Sequence, residues 1–345
     1  MSPDDFCSLS AMKVFISGVA GFLGSHLADK FVEEGHSVVG IDNFIGGYPD
    51  NISQKVDFHP LDCNDFLRVK KAMEGCEVVY HCAATPHEGL SVFSPHENAR
   101  NGYYASAAMI TAACAVKARR FIQCSSMARY GTQETLPFTE DMTPRPQDPY
   151  GIGKYAAELL VRNLAEVHGV EWVVLVPHNI YGPRQKYDDA YRNVASIFIN
   201  LMLQGRQPFI YGDGSQERCF SYYTDDIGPM YQAAFEASVA GQVVNIGPDK
   251  EVVTIAELAR EVARQLDFSL DPIYKPGRPQ EVHLAHCSAD KARRLLGYEA
   301  RVSLGDGLAQ LIAWIRLRGP RPFKYHLDLE IESEKTPETW RKKLF

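Results

Sequence analysis

The chain has 345 residues, 45% of them hydrophobic and 23% charged, with 26 Gly and 20 Pro. That length and apolar content suit a large core in roughly two domains and exclude a disordered or fibrous protein. With 36 basic and 43 acidic residues the formal charge is −7, so no basic excess recommends nucleic acid or anionic lipid as a partner.

Residues 1–11 read as a loose leader carrying Asp4 and Asp5, unlike the basic start of a signal peptide. From Met12 onward short β-branched runs alternate with amphipathic helical patterns. The strand-like runs are 13–17, 37–42, 56–59, 77–81, 121–124 and 172–176; the helix-like segments between them are 22–34, 64–73, 98–117 and 149–168. Strands apolar on both faces and separated by helices predict an α/β fold, a doubly wound parallel sheet of Rossmann type. After Pro177 the texture changes to Gly- and Pro-punctuated shorter elements, with a helix at 191–203. A helix at 225–237 and a strand at 243–246 are expected to return to the sheet, and helices at 254–266, 288–296 and 304–316 complete the chain. The expected division is a dinucleotide-binding domain from 12–180 plus about 225–250, and a smaller mixed α/β substrate lobe from 181–224 plus about 251–318. Residues 319–345 read as a tail lying on the surface. No apolar run approaches the ~20 residues of a membrane span. The eight cysteines (Cys7, Cys63, Cys76, Cys82, Cys114, Cys124, Cys219 and Cys287) form no Cys-x-x-Cys pair. This is the pattern of reduced, buried thiols in a cytoplasmic protein.

The first strand runs directly into Gly18-x-x-Gly21-Phe22-Leu23-Gly24, which opens a helix. Glycines there let the turn adopt positive φ and let backbone approach a pyrophosphate at the helix N-terminus. The second strand ends at Asp42, followed by Asn43, about 18 residues past Gly24, where a carboxylate accepts from an adenosine ribose hydroxyl. No Arg follows to pair a 2′-phosphate, so NAD is expected rather than NADP. Asp62 and Cys63 follow the third strand, and Asp62 either reaches the adenine or caps the following helix. Ala83 and Ala84, after the fourth strand, let backbone approach the cofactor, while His81 reads as a buried core histidine. Pro149 opens a helix that carries Tyr150 and Lys154 on one face at i, i+4. A free phenol ionises near pH ~10; a neighbouring ammonium and an oxidised nicotinamide favour phenolate, making Tyr150 a proton exchanger for a substrate hydroxyl. The fifth strand delivers Ser125 and Ser126 to the same edge of the sheet.

With these motifs in place the chain resembles the extended short-chain dehydrogenase/reductases, in the sugar-nucleotide branch typified by UDP-galactose 4-epimerases. The markers are the glycine turn, Asp42, His81-Cys82-Ala83-Ala84, Ser125 to Gly131, Tyr150-x-x-x-Lys154, Asn179 to Arg184, Tyr211-Gly212-Asp213-Gly214, Arg218 and Arg278-Pro279. The resemblance implies Ser126, Tyr150 and Lys154 as catalytic residues. It implies Asn179, Asn193, Tyr211, Arg218, Arg278 and Glu281 as contacts to a nucleotide-sugar, UDP-linked in this branch. It further implies a homodimer paired through the helices near 98–117 and 149–168. It also places Ala285 at a position lining the hexose pocket, where a small residue leaves room for an N-acetyl group. Dehydratases and decarboxylases of the branch carry acidic side chains just after the active-site hydroxyl. Met127 and Ala128 occupy those slots here, which points to simple C4 epimerisation through a 4-keto sugar. The alternatives are a 4,6-dehydratase or uronic-acid decarboxylase with acid/base groups elsewhere, and a non-catalytic NAD-binding protein.

Overall fold

The computed structural model describes residues 11–345, so all of the expected leader except Ala11 lies outside the described residues. Seven strands form one parallel sheet: β1 Lys13–Ser17, β2 Ser37–Asp42, β3 Asp57–Pro60, β4 Val78–His81, β5 Arg120–Cys124, β6 Glu171–Pro177 and β7 Gln242–Ile246. Their order across the sheet is β3-β2-β1-β4-β5-β6-β7. Val14, Phe15, Ile16, Val78 and Val79 are completely buried, because helices cover both faces; that is why these strands read as unbroken apolar runs.

The helices are α1 Phe22–Glu33, α2 Phe66–Met73, α3 Ala105–Ala115, α4 Pro149–His168, α5 Val194–Leu203, α6 Tyr223–Gln232, α7 Ile255–Leu266, α8 Asp290–Leu296 and α9 Leu304–Arg318. The segment expected as one helix over 98–117 is helical without a gap from Pro95 to Ala115, with one wide turn at Arg100–Tyr104 leading into α3. Such wide turns inside helices often mark functional sites, and Asn101 and Ala105 both reach the cavity described below. Helix α4 has clear ends. The Asp148 side chain accepts from the Gly151 N–H at 2.8 Å, Pro149 sits where no N–H is needed, and Gly169 stops the helix at φ 70°. As expected, α6 packs on α1 and β7 extends the sheet beside β6. The lobe has its own core, where Phe198 and Ile199 of α5 meet Leu258 and Val262 of α7 and Leu308 and Ile312 of α9. No helix among the described residues is long and apolar enough to cross a membrane.

Residues 319–345 depart from the expected surface tail. They strap across the lobe and bury Leu327 and Trp340 against Leu90, Phe93 and Tyr191. The Arg321 carbonyl accepts from Asn200 and Gln204 at 2.9 and 3.0 Å, Tyr191 Oη donates to the Leu327 carbonyl at 2.9 Å, and the Glu330 carboxylate accepts the N–H groups of His96 and Glu97 at 2.8 and 2.9 Å. His326 adds an anchor beside Asp189, whose carboxylate also holds His87 at 3.1 Å. The segment reads as polar because charges separate its aromatics; those aromatics find partners far away in the chain.

Two predictions follow from these packing relations. Trp340→Ala removes an indole buried among Phe93 and Tyr191 and is expected to cost about 3–5 kcal/mol in denaturant unfolding. Burial, reinforced by the negative charge of Glu88, pushes Asp148 up to about 7 from 3.8. A carboxyl raised on folding contributes stability that is full below pH ~4 and lost as pH rises through ~7. Asp148→Asn keeps the cap and removes that loss, so the stability of the variant relative to wild type should increase between pH 4 and 7, measured by denaturation at several pH values.

Candidate active site

All seven strands point their carboxyl ends to one edge, and the strand order reverses between β1 and β4. Crossovers diverge at that point and leave a crevice. A cavity of about 440 Å³ opens there and continues between the sheet and the lobe.

At the cofactor end, Gly18 has φ 75°, and a Cβ on it would lie 2.8 Å from the Ala83 nitrogen; a Cβ on Gly24 would lie 2.2 Å from the Gly18 carbonyl. The spacing thus serves close packing of the turn first. It also leaves Gly21 as an N-cap without a side chain, so the first-turn N–H groups of α1, at Phe22, Leu23 and Gly24, lack helical partners and line the cavity. That arrangement fits a pyrophosphate. Asp42 lines the same space and accepts from the N–H groups of Ala20 at 2.9 Å and Phe44 at 2.6 Å; burial raises its pKa. Asn43 donates to Asp62 at 3.0 Å, and Asp62 accepts the Asn64 N–H at 2.8 Å in the turn before α2, so Asp62 ties loops together rather than capping the helix itself. Cys63, Ala83 and Ala84 also line the cavity, and burial pushes the Cys63 thiol up to about 12. His81 is the core histidine expected: it bonds Ser17 at 2.7 Å and Ser106 at 3.0 Å, and burial pushes it down to about 3, leaving it neutral.

At the chemical end, Ser126, Tyr150 and Lys154 face the cavity together. The two serines divide their work. Ser125 Oγ is consumed by Glu158, itself paired to Arg129 at 3.0 Å, whereas Ser126 accepts the Ala128 N–H at 3.2 Å and lines the cavity with Tyr150. Lys154 Nζ donates to the Cys124 carbonyl at 2.8 Å and stands 5.8 Å from the Tyr150 ring centre. Burial lowers the Lys154 pKa and raises that of Tyr150, and the charge of Glu88 raises Tyr150 further. The ammonium alone therefore does not make Tyr150 a base.

On the lobe side, Asn179 and Asn193 hold left-handed backbone at φ 46° and 56°, strain of the kind concentrated at functional sites. Asn179 donates to the Cys219 carbonyl at 3.0 Å, and Asn193 caps α5. Arg218 donates to the carbonyls of Glu217, His283 and Val282 at 2.8, 2.9 and 2.7 Å. Arg278 lies 4.9 Å over the Tyr211 ring and pairs with Glu281, while its buried Nε has no partner. Tyr211 in turn bonds Thr339 of the C-terminal segment. Asn179, Asn193, Tyr211, Arg218, Arg278 and Glu281 all line the cavity.

Ala285 does not. It lies in a short strand beside Arg218, buried in an apolar cluster with Met127, Phe138 and Cys287. A larger side chain there would press on that core rather than narrow the cavity, so the expected N-acetyl gate at Ala285 is corrected. Sequence reasoning also missed cavity residues that the fold supplies: Glu88, Asp148, Gln185, Arg192 and Phe345. Asp148 was legible as an N-cap before Pro149; the others carry no local signal.

Comparison with known proteins agrees with this geometry. Residues 14–247 match the model of the NAD dependent epimerase/dehydratase family. A UDP-glucose 4-epimerase of Mycolicibacterium smegmatis is 31% identical over 88% of this chain and 99% of its own length. A UDP-N-acetyl-alpha-D-glucosaminuronate decarboxylase of Bacillus cytotoxicus is 30% identical over 88% of this chain and 98% of its own. Among solved structures, the UDP-glucose 4-epimerase of Thermotoga maritima with UDP-glucose superposes with a TM-score of 0.84 at 30% identity, covering 89% of this chain and 99% of that one. The UDP-glucuronic acid 4-epimerase of Bacillus cereus with UDP-glucuronic acid and NAD gives 0.83 at 29%, covering 89% and 100%. The chain belongs to the NAD-dependent epimerase/dehydratase family.

Proposed function

We propose that this protein inverts C4 of a UDP-linked sugar. The observation that carries the reading is one cavity joining the glycine turn to Ser126, Tyr150 and Lys154, with buried Met127 and Ala128 in place of acids after the serine. Bound at the α1 N-terminus and Asp42, NAD supplies the hydride acceptor and donor for C4. Lys154 would hold the nicotinamide ribose, and Ser126 would orient the sugar O4. Tyr150 takes the O4 proton as the C4–H bond breaks and returns it after the keto sugar has turned over. Arg218 and Arg278 are the forked cations for the diphosphate. The seven described cysteines are free, which supports a reducing, cytoplasmic setting.

One observation favours a second reading, a dehydratase or decarboxylase: Glu88 brings a carboxylate into the cavity from another element. Both readings are tested by NMR and mass analysis of products from UDP-hexoses, UDP-N-acetylhexosamines and UDP-uronic acids. C4 epimers of unchanged mass without net NADH support the proposal; loss of water or CO₂ sinks it. Tyr150→Phe should lower kcat by ~10²–10⁴-fold with NAD retained. The reading includes a homodimer through α3 and α4, supported by the outward Tyr104, Ile152 and Leu159 on or beside them. Light scattering at micromolar concentration should give twice the chain mass; a monomer refutes it.

A further inference from the structure

Glu88 begins the short helix Glu88–Ser91 and is exposed, and the space it faces is the cavity. Its carboxylate has no hydrogen-bond or ion-pair partner among the described residues; only its carbonyl is used, by Ser91 Oγ at 2.6 Å. The backbone that carries it is pinned on three sides. His87 Nε2 is held by Asp189 at 3.1 Å. A Cβ on Gly89 would lie 3.2 Å from the Trp340 ring and 3.5 Å from Arg278. Ser91 Oγ receives the Tyr150 N–H at 3.2 Å, tying this helix to the start of α4. The backbone at Glu88 is thus held in place, and its side chain lines the cavity.

Its position along the cavity follows from its neighbours. On one side of it a Cβ on Gly89 would lie 3.5 Å from Arg278, and on the other Ser91 Oγ meets the Tyr150 N–H at 3.2 Å and the Asp148 carboxylate at 3.5 Å. On the proposed reading, C4 of the sugar sits at Tyr150 and C1 leads to the diphosphate at the arginines. A group that acts on both ends flanks the ring between them. There a carboxylate accepts from hydroxyls, and at close range it opposes a second carboxylate.

We propose that Glu88 sets the class of sugar: it accepts hydrogen bonds from the hydroxyls of a hexose uncharged at C6 and rejects uronic acids, which carry a carboxylate there. This rests on the sugar-nucleotide reading above and goes beyond it, since the fold is shared by relatives named for glucose and for glucuronic acid.

The experiment compares kcat/KM for UDP-glucose and UDP-glucuronic acid in wild type, Glu88→Gln and Glu88→Val, with bound NAD measured in each. Calorimetric binding of the same two UDP-sugars to each protein runs in parallel. Wild type should favour UDP-glucose by about tenfold or more, and both variants should narrow that ratio by about tenfold with NAD content unchanged. A wild type that handles UDP-glucuronic acid equally well or better overturns the assignment, as does a ratio that neither variant moves. If neither sugar is turned over, the proposed reaction fails, and the binding ratio still decides Glu88: equal ratios in wild type and variants overturn it.

Discussion

The arrangement depends on one constraint of parallel pairing. Every strand of the sheet must end at the same edge, and the reversal of strand order between β1 and β4 prevents the connections from closing over that edge. β1 ends in the glycine turn, β4 in Ala83 and Ala84, and β5 in the two serines, so three chemically different strand ends open on one crevice. The Asp148 cap adds α4 to the same edge and carries Tyr150 and Lys154 in its first turns. A one-residue register change in any of these strands would turn each side chain to the opposite face of the sheet and shift the strand end that carries the site.

Burial sets the electrostatics of this crevice. It raises the pKa of Tyr150, Asp148 and Asp42 and lowers that of Lys154, the direction in which each group resists carrying charge. The groups whose charges are settled are those with partners: Glu158 with Arg129, and Glu281 with Arg278. What remains unpaired faces the cavity, where a bound ligand supplies the missing partners. The buried Nε of Arg278 and the carboxylate of Glu88 are the two ends of that unfinished pairing.

The lobe and the C-terminal segment complete the enclosure through packing. Thr339 meets Tyr211, Trp340 rests beside Gly89 and Arg278, and Phe345 reaches the cavity against Phe209 at 5.4 Å between ring centres.

The sequence by itself determined the parallel sheet, the glycine turn, Asp42, the helix that carries Tyr150 and Lys154, and the buried role of His81. These are local features: a period, a spacing or a turn read within a few residues. Only the tertiary structure decided that Ser126 rather than Ser125 is free, because Glu158 lies 33 positions away. It likewise turned Ala285 into the core, packed the apparent tail against Leu90 and Tyr191, and directed Glu88 into the cavity. Each of those outcomes is set by partners distant in the chain, and the identity of a residue carries no record of which distant partner folding will bring to it.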